Sequence, residues 1–103
     1  VPITFSQAVL ADDVEVPTVD GRIVQHIPEG TQSGTKFRLR GQGIQYLNGR
    51  GRGDQYVIVD VEIPKKVTRA QREALKAFED SMKEDNYEKR KGFFKKLKDM
   101  FNN

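Results

Sequence analysis

Cysteine is absent from this sequence of 103 residues, and histidine occurs only once, at His26. The lack of cysteine excludes disulfide bonds, cysteine-ligated zinc and a thiol nucleophile, and it suits a reducing compartment such as the cytoplasm. A Ser-His-Asp triad would depend on His26 alone, and a histidine-based metal site would lack its other ligands. We therefore expect no metal, no other cofactor and no enzymatic activity.

Long apolar runs are also lacking. No stretch approaches the roughly 18 apolar residues that a membrane-spanning helix needs. Residues 1–9, VPITFSQAV, contain neither a basic segment nor a long apolar segment, so they do not have the pattern of a secretory signal. Because the sequence starts without methionine in strand-like residues, we expect it to be a piece of a longer protein.

The positive charge is concentrated at the C-terminal end. Residues 86–103 contain six Lys and Arg against two Asp and Glu, whereas residues 1–85 contain twelve against thirteen. The isoelectric point of about 9.3 is therefore a property of the tail. Since a nucleic-acid-binding domain usually has a basic face on its folded body, we expect no nucleic-acid partner.

Alternating apolar residues predict a β-hairpin over residues 14–27. Asp20 and Gly21 have the composition of its two-residue turn. Pro17 cannot donate a ladder hydrogen bond, which predicts that its strand lies at an edge. A second alternation predicts one long strand over residues 55–63, with Val57, Val59, Val61 and Ile63 on the same face and Pro64 ending the strand.

Two capping boxes, in which a threonine precedes a glutamine by three residues, predict helix starts at Thr4 and Thr68. The second helix has a narrow apolar stripe formed by Leu75, Phe78 and Met82. This stripe is the candidate dimerisation surface. The polar residues 84–91 are expected to form a linker.

The last segment, from Gly92 onward, predicts a short basic amphipathic helix. Its lysines lie opposite an apolar face formed by Phe93, Phe94, Leu97, Met100 and Phe101. A helix this short is marginal alone in water, so the face needs a partner. The body of the domain, a second copy of the chain and a lipid surface all remain open, and we favour protein over lipid.

The glycine-rich stretch 41–56, GQGIQYLNGRGRGDQY, has the composition of a phosphate-binding loop. The dinucleotide fingerprint fails because Tyr46 replaces its third glycine, and there is no Gly-Lys-Ser/Thr triplet. Both motifs also need a helix directly after the loop, and here a strand pattern follows. One Arg-Gly repeat is weak evidence for RNA binding, so we interpret the stretch as a structural inter-strand loop.

Three motifs resemble the C-terminal β-domain of DnaJ-type co-chaperones. They are Val16-Pro17-Thr18-Val19-Asp20-Gly21, the stretch 27–43 that reads IPEGTQSGTKFRLRGQG, and the stretch 49–56 that reads GRGRGDQY. The resemblance extends from Val1 to the capped helix and the Phe93-Phe94 tail. In that family the glycine-rich stretch is a scaffold loop.

The resemblance implies a mainly β fold, a small β-sandwich of two sheets with a C-terminal helical dimerisation element. The expected organisation is a β-sandwich domain over residues 1–63, a dimerisation helix over 64–85, and a polar linker with a basic tail over 86–103. The J-domain signature His-Pro-Asp and the cysteine-rich zinc repeats of the family are absent. The C-terminal helix indicates the second of the two β-domains that the family usually has.

The function implied by the resemblance is that of a non-catalytic chaperone fragment. It would form a homodimer, bind unfolded polypeptide weakly and serve a DnaK-type chaperone in protein folding and stress response, through a J-domain that this sequence lacks. The candidate client-binding residues are Val14, Val16, Ile23, Ile27 and Phe37. Neither a membrane nor a nucleic acid is expected as a partner. Two alternatives remain, a purely structural dimerisation module and a membrane- or nucleic-acid-binding module that acts through the tail.

Overall fold

The computed structural model describes residues 1–43 and 51–102. The chain divides into two compact units, Val1–Pro64 and Lys65–Asn103. All described strands lie in the first unit, and the second is helical. The expected mainly β fold with small sheets and a C-terminal helical element is confirmed.

The strands of the first unit form three two-stranded ladders. β1 (Pro2–Ile3) pairs in parallel with β6 (Asp60–Val61). The other two ladders are antiparallel. One joins β2 (Asp12–Thr18) to β3 (Gly21–Ile27), and the other joins β4 (Lys36–Leu39) to β5 (Gln55–Ile58). A short helix, α1 (Phe5–Leu10), connects β1 to β2.

The β2–β3 hairpin confirms the predicted alternation, but its turn lies one residue earlier than expected. Thr18 pairs with Gly21, so the two loop residues are Val19 and Asp20. Gly21 is the first residue of β3 and has a φ of 142°. That dihedral is rarely adopted by residues with a Cβ atom, which accounts for glycine at this position. Composition marks the turn correctly, but the ladder register decides which residues form it.

One apolar core joins the ladders of the first unit. Its buried members come from β1, α1, all four antiparallel strands and the link between β5 and β6, and they are Ile3, Ala8, Val16, Ile27, Leu39, Val57 and Val59. Their exposed fractions are 5% or less. Burying a Val, Leu or Ile side chain contributes roughly 1.5–3 kcal/mol, so each of these residues except Ala8 adds a stabilising contribution of that size.

The prediction of one continuous strand over residues 55–63 is wrong. β5 ends at Ile58 and β6 begins at Asp60. Between them, Val59 donates from its N–H to the carbonyl of Thr35 at 3.0 Å, and its carbonyl accepts from Gly34 at 2.7 Å. The chain therefore changes partners at Val59. The predicted burial alternation holds over residues 56–59, where Val57 and Val59 are buried while Tyr56 and Ile58 are exposed, but it fails at Ile63, which is 74% exposed.

Both predicted capping boxes are present. The Thr4 hydroxyl accepts from the Gln7 N–H at 3.1 Å, and the Gln7 side chain accepts from the Thr4 N–H at 2.9 Å. Thr68 and Gln71 make the same reciprocal pair at 3.2 and 2.8 Å. Each box satisfies two N–H groups that the first helical turn leaves unpaired.

The second unit contains α2 (Arg69–Ser81), a 3₁₀ turn (Glu84–Asn86) and α3 (Glu88–Phe101). The predicted linker over residues 84–91 is therefore wrong, because α3 begins at Glu88. Glutamate, lysine and arginine are good helix formers, and a polar composition does not prevent a helix. Met82 lies just after α2 as its C-cap, and its N–H donates to the carbonyl of Glu79 at 3.0 Å.

Candidate functional site

The β2–β3 hairpin has two edges, and the ladder register decides which backbone groups lie along each. A two-residue loop makes the closing pair, Thr18 and Gly21, the hydrogen-bonded pair. Pairs then alternate along an antiparallel ladder, so Pro17 and Arg22 form a non-hydrogen-bonded pair. Their backbone groups point away from the partner strand. The predicted edge position of Pro17 follows, because its missing N–H would face outward.

The outer edge of β2 is largely occupied. The Pro17 carbonyl accepts a hydrogen bond from Gln55 Nε2 at 2.8 Å. The outward N–H of Asp13 donates to the Asp12 carboxylate at 2.8 Å. Between Pro17 and Asp13, only the backbone groups of Glu15 face outward along this edge. β2 therefore offers little to an incoming strand.

The outer edge of β3 is open over the middle of the strand. By the same alternation, the outward residues are Arg22, Val24 and His26. The His26 carbonyl accepts from Gln25 Nε2 at 2.8 Å. Within the described ranges 1–43 and 51–102, the backbone N–H groups of Arg22 and Val24 pair with no other backbone or side chain. This is the unpaired edge to which an extended peptide can add.

The five candidate client residues divide into two groups. Val16 and Ile27 are buried in the core, with exposed fractions of 2% and 1%, so a client cannot reach them. Val14, Ile23 and Phe37 are half-buried and pack against that core. Their role in client binding remains a prediction. Sequence reasoning overlooked Val24, which is 65% exposed on the open strand, because an apolar residue on the polar face looks like an ordinary surface residue.

A carboxylate holds the base of the glycine-rich loop. Asp54 accepts from the Gly41 N–H at 2.8 Å and from Arg38 Nε at 2.6 Å. The hydrogen bond from the Gly41 backbone is the main cause that holds the pKa of Asp54 below its usual value, and the hydrogen bond from Arg38 is the next. Gly43 lies against the same segment, since a Cβ there would stand 2.8 Å from the Asp54 carbonyl oxygen.

The loop that follows β4 leads to β5, as a structural connection requires. Residues 44–50 of the loop lie outside the described residues. The scaffold interpretation is supported by the two hydrogen bonds that Asp54 accepts from Gly41 and Arg38, which we call the Asp54 clamp, and by the strand that follows the loop.

We predict that the clamp makes stability depend on acidity. A carboxylate whose pKa is lower in the folded state stabilises the fold above its unfolded pKa of about 3.9, and this contribution disappears as pH falls through the folded value. Asp54→Asn should therefore lower the free energy of unfolding at neutral pH, and the difference from wild type should shrink at about pH 3. Urea denaturation at both pH values measures this.

Asp60→Asn is the matched control, because it removes the same charge from an exposed aspartate of the first unit. It should change the free energy of unfolding little. If Asp54→Asn lowers the free energy of unfolding equally at both pH values, the carboxylate charge is not what stabilises the loop base.

The α2 stripe is accessible at the surface. Leu75 is 58% exposed, and Phe78 and Met82 are half-buried. No residue of α2 is buried. The apolar stripe of α2 is therefore only partly covered within the described residues.

The apolar face of α3 is exposed over its whole length, from 37% at Leu97 to 80% at Phe101. Beside it, a cleft of about 360 Å³ is lined by residues that include Met82, Tyr87 and Phe94. Tyr87 donates its hydroxyl to Glu79 at 3.3 Å. Desolvation, followed by the charge of Glu79, raises the pKa of Tyr87.

The described residues also bear on metal binding and on membrane spanning. In the part of the chain that the structure describes, no group of three or more acidic, histidine or cysteine side chains is placed to hold a metal ion. None of the helices described in residues 1–43 and 51–102 is long and apolar enough to cross a membrane.

Comparison with known proteins identifies the family. The family described as DnaJ C terminal domain matches residues 1–64, and the one described as Chaperone protein DnaJ C-terminal region matches residues 70–103. The chain belongs to the DnaJ C-terminal domain family. The resemblance found in its hairpin and loop motifs is thereby confirmed, and the two family matches fall on the strand-containing and helical parts of the chain.

The similar proteins are bacterial chaperones of the DnaJ type. Chaperone protein DnaJ of Ruminiclostridium cellulolyticum is 54% identical over 101 residues, which cover 98% of this chain and 27% of that protein. The protein of the same name from Acetivibrio thermocellus is 52% identical over 99 residues, covering 96% and 26%. That from Listeria monocytogenes is 50% identical over 101 residues, covering 98% and 27%. The chain spans about a quarter of the length of these DnaJ relatives.

Proposed function

We propose that this chain forms a homodimer through α2 and holds unfolded polypeptide weakly along the open edge of β3. In the whole protein it would deliver that client to a DnaK-type chaperone through a J-domain outside this sequence. This role belongs to protein folding and the stress response in the cytoplasm. It requires no catalysis and no cofactor from this chain.

The observation that carries the client-binding part is the open edge of β3. The backbone N–H groups of Arg22 and Val24 face away from β2 and pair with nothing else in the described residues. Main-chain pairing does not depend on the client's side chains, so it suits a partner that must accept many sequences. The strand is also held rigidly, because Ile27 at its end is buried in the core.

The side chains beside this edge favour apolar segments. Val24 projects from the exposed face of β3, and the half-buried Ile23 lies next to it on the core face. Side chains of a strand added at this edge would alternate between the two faces. Apolar residues of an unfolded chain would meet Val24 on one face and Ile23 on the other, whereas folded proteins rarely offer such a free apolar strand.

Dimerisation is supported by the composition of α2. Its stripe of Leu75, Phe78 and Met82 is incompletely covered, and a symmetric dimer covers a stripe with the same stripe of the second copy. The helix carries three basic residues, Arg69, Arg72 and Lys76, and three acidic ones, Glu73, Glu79 and Asp80. Since these charges balance, two copies can approach without net repulsion.

A dimer multiplies weak binding. One β3 edge offers only a few hydrogen bonds, each contributing roughly 0.5–1.5 kcal/mol net. Affinity for one edge is therefore expected in the micromolar range, about −8 kcal/mol. Two edges on one dimer can hold two segments of the same unfolded chain, which raises the overall affinity without new contacts.

An NMR titration with an unfolded apolar polypeptide tests the proposal. The expected shifts lie in β3, largest at Arg22 and Val24, and extend to Ile23. Shifts confined to residues 86–103 would assign binding to the tail instead. No shifts at saturating polypeptide would leave a purely structural dimerisation module, the second candidate function, which the partly exposed α2 stripe favours.

A further inference from the structure

The apolar face of α3 is flanked by cations on both sides. Positions seven residues apart lie on nearly the same side of an α-helix. Lys89 and Lys96 therefore share one border of the apolar face, and Lys91 and Lys98 share the other. Glu88 and Asp99 lie together on the far side. The acidic groups are thus as distant from the apolar face as the helix allows.

We propose that α3 docks the chain on an anionic lipid surface, lying flat at the boundary between headgroups and acyl chains. The five apolar side chains, Phe93, Phe94, Leu97, Met100 and Phe101, would enter the acyl region. The bordering lysines would lie at the level of the lipid phosphates, and Glu88 and Asp99 would face water. This is the arrangement expected of an interfacial amphipathic helix.

Arg90 fits the same orientation. It is the one charged residue within the apolar side of α3, and its guanidinium lies 4.7 Å from the centre of the Phe94 ring. A long arginine stem can cover apolar surface while its charged end reaches the polar boundary. Arg90 therefore does not interrupt the apolar face.

The sequence predicts a tail helix from Gly92 onward, with protein favoured over lipid as its partner. The observed helix begins at Glu88 and adds Lys89, Arg90 and Lys91 to it. Of these three, Lys89 and Lys91 extend the cationic borders on the two sides of the apolar face. The full helix carries six basic and two acidic residues.

Charge distinguishes a lipid surface from a second α3 and from duplex nucleic acid. A second α3 would bring two strongly basic faces together, whereas α2, with balanced charges, meets no such repulsion. Duplex nucleic acid would attract the lysines but would leave five large apolar groups without a use. An anionic lipid surface satisfies both the basic border and the apolar face.

Sedimentation of the full chain with lipid vesicles tests this proposal. Binding is expected to vesicles of equal parts phosphatidylcholine and phosphatidylglycerol, to weaken with added salt, and to be lost with phosphatidylcholine alone. Lys96→Gln combined with Lys98→Gln should reduce the affinity about 25-fold, since each lysine near an anionic surface contributes roughly a five-fold factor. Glutamine retains helix propensity, so this variant keeps α3 helical.

Lys65→Gln with Lys66→Gln is the matched control. It removes the same charge from outside α3 and should reduce the affinity far less. Phe93→Ser with Phe101→Ser should also abolish vesicle binding, while Leu10→Ser with Ile63→Ser, two apolar residues of similar exposure in the first unit, should not.

Four results would overturn the proposal. The first is no binding to anionic vesicles, and the second is equal loss in both lysine variants. The third is a change from dimer to monomer in the Phe93→Ser, Phe101→Ser variant, which would assign the α3 face to a second copy. Binding of duplex DNA in place of vesicles, lost on Lys96→Gln with Lys98→Gln, would likewise reject a lipid surface.

Discussion

Replacing Leu75 and Phe78 with aspartate should convert the proposed dimer into folded monomers. Both side chains lie on the α2 stripe, and a symmetric interface would bury each of them in both copies. Four carboxylates would then enter an apolar interface without partners. Each unpaired buried charge costs several kcal/mol, so association at micromolar concentration should be lost completely.

The helix itself tolerates this change. α2 has no buried residue, and its Thr68–Gln71 capping box lies outside the substituted turn. Circular dichroism should therefore show retained secondary structure, while sedimentation equilibrium shows a monomer. Ala70→Asp with Ala77→Asp is the matched control, because it adds the same charge on another side of α2 and should leave the dimer intact. A double Leu75, Phe78 variant that stays dimeric would place the interface elsewhere.

Val24→Pro should abolish most client binding. Proline removes the outward N–H at the centre of the open β3 edge, and its ring obstructs an incoming strand. The β2–β3 ladder should survive, because Val24 and Glu15 form a non-hydrogen-bonded pair, as Pro17 already does two residues further along β2. We expect affinity for an unfolded polypeptide to fall at least about tenfold, corresponding to about 1.4 kcal/mol.

Glu15→Pro is the control for that experiment. It makes the same substitution directly across the ladder, on the edge of β2 that Gln55 and Asp12 already restrict. Fluorescence anisotropy with a labelled unfolded polypeptide should show near wild-type affinity. If the two variants bind alike, the β3 edge is not the client site. If Glu15→Pro alone loses binding, the client adds to β2.

Features that depend on neighbouring residues were predictable from the sequence. The capping boxes at Thr4 and Thr68 each need only two side chains three positions apart. The alternation of Val57 and Val59 with Tyr56 and Ile58 correctly predicts which of these side chains are buried and which are exposed. The resemblance of the loop motifs to a known family was specific enough to identify the fold.

Features that depend on pairing between distant segments were not predictable. The break at Val59 arises because Gly34 and Thr35 bind its backbone from another part of the chain. The occupation of the β2 edge depends on Gln55, which lies 38 residues from Pro17. For the same reason Pro17 correctly marked an edge strand, but the more accessible edge is the one on β3.

Composition misled at two places in the helical unit. The polar run at residues 84–91 predicts a linker because it lacks apolar periodicity, yet Lys89, Arg90 and Lys91 belong to the first turns of α3. Met82 follows the seven-residue spacing from Leu75, but the helix ends at Ser81. Periodicity identifies a face more reliably than it identifies the last residue of a helix.

The most direct test of the dimeric client-holding function is sedimentation equilibrium of a fluorescently labelled unfolded polypeptide with the wild-type chain. The proposed function predicts a labelled species whose mass equals that of the polypeptide plus two chains of 11.8 kDa each. A labelled species that contains a single chain would contradict dimerisation during client binding. A polypeptide that sediments alone at saturating chain concentration would contradict client holding itself.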